Sequence, residues 1–273
     1  MIDLHIHLLP GIDDGPADLD GALALANAVR ADGVTAVAAT PHVNEAHRTT
    51  AATMRDALAS LRAGLAGAGL AIDVHGGAEI AIDRLDRLSD DDLRGFSLGG
   101  SGRYLLLECP YAGWPMDLEL HTGRIAQLGM RPLLAHPERS AAVQGSGGAE
   151  RLRDAVDRGL LVQITAGSLS GHHGRTAAET ARRLIDEELV HVISSDAHSA
   201  DRRPPRMSEA FAAIGDDVLA RWLTTAAPGA ILRGERLPER PRRRASRGDP
   251  RRILTRRPAA SRSPGSRHRP ATP

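Results

Sequence analysis

The chain has 273 residues, 41% hydrophobic and 2% aromatic, with a formal net charge of +1; that is enough for one large domain whose core is built from Ala, Leu, Val and Ile. The single cysteine, Cys109, excludes a disulfide framework and any zinc site made from two thiolates. No apolar run reaches the ~18 residues that span a bilayer, and the strand-like N-terminus lacks the pattern of a signal peptide, which points to the cytoplasm.

All 35 basic residues are arginine, and the near-neutral total hides an asymmetry. Residues 239–273 hold twelve arginines against Glu239 and Asp249, a net +10, which leaves −9 on the body. A segment rich in Arg, Pro, Ser and Gly, with no apolar period, cannot bury enough surface to offset its chain entropy. The expected organisation is therefore one domain over 1–235 and a disordered Arg/Pro/Ser-rich tail over 236–273. The tail is either a solubilising extension or a contact for anionic surfaces and acidic partners.

In chain order, β-branched or Leu-rich runs at 2–7, 34–39, 71–78, 104–108, 132–136, 160–165 and 190–195 read as strands. Between them lie helical patterns near 18–32, 51–66, 116–129, 149–158 and 175–188, with two more near 206–214 and 216–226. Gly33, Gly129 and Gly159 stand where a helix should stop before the next strand. Strands alternating with helices imply a parallel sheet, either doubly wound or closed into a small barrel. Polar residues favour the barrel, because six of the seven expected strands carry a metal-competent side chain at or near the C-terminal end, where the loops of a barrel converge.

Those side chains are His5 and His7 on the first strand, His42 after the second, Glu79 after the third and Glu108 ending the fourth. His136 ends the fifth, and Asp196 and His198 follow the seventh; the sixth ends in Thr165, a poor ligand. His5-Ile6-His7 sets two imidazoles on one face of a strand, and Ser195-Asp196-Ala197-His198 repeats the alternate spacing. Asp13-Asp14-Gly15 adds a carboxylate at Asp14 on a segment that by itself reads as a turn. Nine nitrogen and oxygen donors exceed one tetrahedral zinc and suit two or three ions, with Mn²⁺, Fe²⁺ or Zn²⁺ as candidates. Such ions lower the pKa of water and bind the oxygens of an anionic ester, so the indicated chemistry is hydrolysis, most simply of a phosphoester.

The combination of His5-x-His7, Leu9-Pro10-Gly11-Ile12-Asp13-Asp14-Gly15, Thr40-Pro41-His42, Gly77-Ala78-Glu79, Leu107-Glu108, Ala135-His136-Pro137-Glu138-Arg139 and Ser195-Asp196-Ala197-His198 resembles the PHP (polymerase and histidinol phosphatase) superfamily. Within it, residues 1–227 are most similar to the bacterial CpsB/YwqE-type metal-dependent protein-tyrosine phosphatases of capsule and exopolysaccharide synthesis. The resemblance implies a distorted seven-stranded (β/α) barrel of PHP type with a trinuclear, usually manganese-activated site. His5, His7, Glu79 and Asp196 would hold one ion, Glu79 would bridge to a second on Glu108 and His136, and Asp14, His42 and His198 would hold a third. Arg139 and Arg203 match the family's phosphate-binding arginines, although Arg202 and Arg206 flank Arg203 closely. The implied substrate is phosphotyrosine on a protein, a bacterial tyrosine kinase being the expected partner. Ser140, Ser199 and Val43 depart from common family residues and bear on substrate fit. The alternatives are a small-molecule phosphomonoesterase of histidinol-phosphate type, a nuclease, or a non-enzymatic metal-binding scaffold.

Cys109 cannot serve a thiolate phosphatase, because Pro115 occupies the place where such a loop needs an arginine. His172 and His173 read as solvated loop residues that border the mouth at most. Tyr111 and Trp114 either line a pocket for a phenol ring or pack.

Overall fold

The computed structural model describes residues 1–242. Its strands are β1 (Ile2–Ile6), β2 (Ala36–Ala39), β3 (His42–Val43), β4 (Asp73–Gly76), β5 (Glu79–Ala81), β6 (Tyr104–Glu108), β7 (Arg131–Ala135), β8 (Leu161–Thr165) and β9 (Val192–Ser194). Every pairing between them is parallel. They form a three-stranded sheet in the order β1-β2-β4 and a six-stranded sheet in the order β3-β5-β6-β7-β8-β9.

Two short strands, β3 and β5, lie beyond the ends of the strands expected at 34–39 and 71–78, so nine strands in two sheets stand where seven were expected. Pro41 has no N–H to continue a ladder. Just before it, Thr40 N donates to the Ile6 carbonyl at 2.9 Å while the Thr40 hydroxyl accepts from Ile6 N at 3.1 Å. The chain then re-pairs in the other sheet, with Glu79 N donating to Pro41 O at 3.0 Å. Beyond β9 the chain runs beside β1: Ile6 is bridged to Ala197, Asp196 N donates to His5 O at 2.8 Å, and His7 N donates to Ala197 O at 2.9 Å.

Strands such as β6, β7 and β8 are buried on both faces, as parallel strands usually are. On β6, Leu105 and Leu107 join an apolar layer shared with helix residues such as Leu25 and Leu61. Leu106 belongs to a separate inner cluster with Leu4, Leu133, Leu161 and Val192, closed by Ile231 and Leu232 of the helix Ala227–Leu232. Gly99 passes so close to this helix that a Cβ would collide with the Leu232 carbonyl oxygen. Its loop is thereby a packing device.

The helices α1 (Leu19–Ala31) and α2 (Ala51–Gly67) start where side chains cap them. Asp18 accepts from Gly21 N at 2.9 Å, and Thr50 accepts from Thr53 N at 3.1 Å. Gly33, Gly129 and Gly159 have φ of +83°, +73° and +104°, the left-handed exit that a glycine makes cheaply. A short helix α3 (Asp90–Gly95), absent from the sequence expectation, is capped reciprocally by Ser89 and Asp92. The later expected helices appear at Leu118–Gln127, Gly148–Asp157, Arg175–Asp186 and Met207–Ile214. The last pattern continues as one helical run from Asp217 to Leu232.

After it the chain crosses the end of the sheet where strands begin. Leu237 packs on the core, Trp222 Nε1 donates to Pro238 O at 3.1 Å, and the Arg240 guanidinium lies 5.2 Å over the Trp222 ring. Most of the Arg-rich segment, residues 243–273, lies outside the described residues. Among the described residues, no helix is long and apolar enough to cross a membrane.

Candidate metal centre

The period of an extended strand puts His5 and His7 on one side of β1, and both are fully buried. Their Nε2 atoms lie 3.3 Å apart. Their other nitrogens are tied to oxygens that only accept: His5 Nδ1 donates to Gln163 Oε1 at 3.0 Å, and His7 Nδ1 donates to Asp13 Oδ2 at 2.7 Å. A proton on each Nδ1 leaves the Nε2 lone pair of the neutral ring aimed inward, which is the tautomer a metal-ligating histidine needs.

Around these two rings the structure gathers every side chain that the sequence nominated. Glu79, fully buried at the start of β5, has Oε2 at 3.2 Å from His5 Nε2, 3.4 Å from His7 Nε2 and 2.9 Å from His42 Nδ1. Its Oε1 is 2.8 Å from His136 Nε2. Asp196 Oδ1 lies 3.4 and 3.5 Å from the same two Nε2 atoms, and Asp14 Oδ1 lies 3.2 Å from His198 Nε2. Four overlapping groups result, each with ligand atoms within 4.8 Å of one another: His7, Asp14, His42 and His198; His5, His7 and Asp196; His5, Glu79 and His136; His42, Glu79 and Glu108. His136 and Asp196 both hold φ at +53°, a conformation that costs a non-glycine residue ~1 kcal/mol and clusters at functional sites.

Electrostatics within the cluster are extreme. Burial alone would raise the Glu79 carboxyl, but the imidazoles of His5, His136 and His42 hold it well below the usual carboxylate range. Asp196 is held down against its burial in the same way by His5 and His7. Glu108 is pushed up by burial and by the charge of Glu79. The donor set fits divalent cations, because His42 Nδ1, Glu79 Oε2 and His198 Nε2 are buried without a hydrogen bond, although His42 Nδ1 is 2.9 Å from Glu79 Oε2 and His198 Nε2 is 3.2 Å from Asp14 Oδ1. Leaving such groups unpaired costs ~1–3 kcal/mol each, a penalty that coordination removes.

At the edge of the cluster, Arg139 Nη1 donates to Asp196 Oδ2 at 2.6 Å, and Arg203 Nη2 donates to the same oxygen at 2.9 Å. Arg206 instead donates to Glu209 at 2.9 Å. Tyr111 is 49% exposed, lies parallel to the His136 ring at 5.8 Å, and has the Arg139 guanidinium 5.0 Å from its ring centre. Cys109 is buried, and its thiol is pushed up to about 12, so it supplies no nucleophile. His173 borders the mouth beside Arg139, with a pKa lowered to about 4 by burial and by that arginine.

Three supporting residues lay beyond the sequence reading. Asp13, adjacent to the nominated Asp14, orients His7 and also accepts from His42 N and Gly15 N, each at 3.0 Å. Gln163 supplies the polar contact of the one strand that ends without a ligand; its signal was a lone amide inside an apolar run. Glu138, fully buried, accepts from Thr165 N at 2.9 Å and Ser168 Oγ at 2.7 Å, tying the loop after β7 to the end of β8.

A family model for capsular polysaccharide synthesis, CpsB/CapC, matches residues 1–232. The chain is 31% identical over 213 residues to the tyrosine-protein phosphatase YwqE of Bacillus subtilis, covering 77% of this chain and 82% of that protein. It is 29% identical over 231 residues to the tyrosine-protein phosphatase CpsB of Streptococcus pneumoniae, covering 81% and 90%. A crystal structure from work on YwqE and CpsB, described there as unique metal-dependent tyrosine phosphatases, superimposes with a TM-score of 0.79 at 30% identity, covering 89% of this chain and 100% of that one. Parallel architecture, ordered motifs and sequence similarity thus agree along nearly all of the described residues, and the chain belongs to the CpsB/CapC family of capsular polysaccharide synthesis.

Proposed function

We propose that this chain is a metal-dependent phosphatase that hydrolyses phosphotyrosine on proteins, with a tyrosine kinase of capsule or exopolysaccharide synthesis as its substrate. The observation that carries this reading is the convergence of five imidazoles and four carboxylates from distant parts of the chain, with two arginines at the rim. Similarity to two tyrosine phosphatases and to a metal-dependent tyrosine phosphatase structure supports the substrate class.

His5, His7, Glu79 and Asp196 would hold one ion, Glu79 with Glu108 and His136 a second, and Asp14, His42 and His198 a third, with manganese favoured over iron or zinc. Bound there, divalent ions supply Lewis acidity toward the phosphoryl oxygens and toward water. Asp13 and Gln163 hold the His7 and His5 rings in the ligating tautomer. Arg139 and Arg203, already converged on one oxygen of Asp196, are placed to grip phosphoryl oxygens and to stabilise the charge that grows on them. Tyr111 offers an aromatic wall to the tyrosyl ring. A phenol leaves with pKa ~10, so departure demands little help from an acid.

We read the architecture as a distorted seven-stranded (β/α) barrel. Side chains from β1, β2, β6, β7, β8 and β9 meeting in one inner cluster support closure, as do the hydrogen bonds between β1 and the segment after β9. Residues 1–235 would form the phosphatase domain and 236–273 an appended tail, and the protein would work in the cytoplasm on the exposed tyrosines of its partner.

Chelation should abolish hydrolysis of an aryl phosphate and a phosphotyrosine peptide, and Mn²⁺ should restore both, with the peptide favoured over histidinol phosphate and single-stranded nucleic acid. Glu79→Gln should lose bound metal, whereas Arg139→Ala should keep it and lose ~100-fold in kcat/KM. Elemental analysis beside kinetics checks this; full activity after exhaustive chelation overturns it.

A further inference from the structure

Of the cavities that border the cluster, two carry opposite charges. Beyond Glu108 lies one of about 470 Å³ bordered by Asp83, Asp86 and Asp117. Beyond Asp196 lies one of about 400 Å³ bordered by Arg139, Arg202, Arg203, Arg206, His172 and His173. In the second, four arginines face a single carboxylate, Asp196. Two of them, Arg139 and Arg203, are occupied at Asp196 Oδ2, next to where the scissile phosphate would bind. The other two are not needed there. Arg202 is exposed and its guanidinium has no ion pair among the described residues, while Arg206 is half-buried and held by Glu209 at 2.9 Å.

Holding this much like charge around one small cavity is unfavourable unless an anion compensates it. The backbone keeps the residues together all the same. Ser199 Oγ accepts from both Arg202 N and Arg203 N at 3.0 Å, and Arg206 is set in a left-handed conformation at φ +54° immediately before the helix Met207–Ile214. His173, held neutral by burial and by Arg139, adds no further positive charge and borders the cavity as an uncharged polar group.

Resting on the phosphotyrosine phosphatase reading, we propose that Arg202 and Arg206 form a second anion subsite, which selects protein segments carrying another negative group, a carboxylate or a second phosphate, close to the scissile phosphotyrosine. The acidic cavity on the far side repels the same group, so a flanking anion is accepted on one side of the reacting tyrosine and refused on the other. The substrate segment therefore enters in one direction.

The test uses the metal-loaded full chain and phosphotyrosine peptides of equal length whose neighbouring residues are Glu, Gln, Lys or phosphoserine, placed before or after the phosphotyrosine. The acidic peptides should exceed the Gln peptide in kcat/KM by about fivefold or more at low ionic strength, on one side of the tyrosine only, and the advantage should fade with salt. In Arg202→Gln/Arg206→Gln the acidic-to-neutral ratio should fall to about one, and Arg202→Glu, a change on an exposed loop, should favour the Lys peptide. Comparing ratios within each enzyme cancels any change in basal turnover. Glu and phosphoserine arms separate carboxylate from phosphate as the preferred anion. Turnover of the Gln peptide with no acidic preference in the unmodified chain, or a preference that survives the double substitution, overturns the subsite alone. Failure to hydrolyse every phosphotyrosine peptide overturns the phosphatase reading and the subsite with it.

Discussion

Asp13 does more for the cluster than its place in a turn implies. One of its oxygens receives the His7 Nδ1 proton at 2.7 Å and the His42 backbone N–H at 3.0 Å, so a single carboxylate orients two nominated ligands. Burial would raise it, but the bond and charge of His7 hold it below the usual carboxylate range. Asp13→Asn keeps the size and offers an amide that can present either N or O to His7, weakening control of the tautomer. Such changes in the outer shell of a metal site cost ~10–100-fold in metal affinity or activity. The expected outcome is a right-shifted metal-activation curve with maximal turnover largely recovered at high metal, measured by titrating Mn²⁺ into chelated protein. An unshifted curve would show that His7 needs no such partner.

Among the elements, α3 illustrates how a short segment is held. Its six residues cannot sustain a helix through propensity alone; what keeps it is Leu93 buried against the core and the reciprocal cap, Asp92 N donating to Ser89 Oγ at 3.1 Å and Ser89 N donating to Asp92 Oδ2 at 3.0 Å. Ser89→Ala removes half of that exchange and should cost ~1 kcal/mol of global stability, read as a lower urea midpoint at unchanged slope. Activity should hold, since α3 contributes no residue to the cluster. The cap was readable as Ser89-x-x-Asp92, but a six-residue helix leaves no period to support it. The short strands after Pro41 and Ala78 escaped for a related reason: two or three residues leave no period to read, and only the change of sheet partner reveals them.

For the molecule as a whole, stability carries a pH signature far from the cluster. His191, just before β9, accepts from Val162 N at 3.2 Å and borders a cavity with Arg131 and Arg240. Burial, then the charges of Arg240 and Arg131, lower its pKa to about 4. The unfolded chain therefore takes up a proton near pH 6.5 that the folded state refuses until about pH 4. Stability from the neutral ring is full above pH 6.5 and is lost as pH falls through that window, by about 3 kcal/mol. His191→Gln keeps an acceptor for Val162 N and has no proton to gain. Urea unfolding at pH 7 and pH 4 should show the unmodified chain losing about 3 kcal/mol more than the variant; equal losses would refute the assignment.

The sequence by itself determined the alternation of strands and helices, the helix stops at Gly33, Gly129 and Gly159, and the nine residues that meet in the cluster. These signals are local: a period of two or 3.6, a left-handed exit, a polar side chain at the end of an apolar run. No local pattern encodes which ligand faces which: the family resemblance implied a bridging Glu79, and the fold is what brings it to His5, His42 and His136 across long chain separations. The fold also decided that Arg139 and Arg203 share one oxygen of Asp196, while beside the same cavity Arg206 is paired with Glu209 and Arg202 has no ion pair among the described residues. Neighbours in sequence look alike there, and they differ only in what the fold has placed within reach.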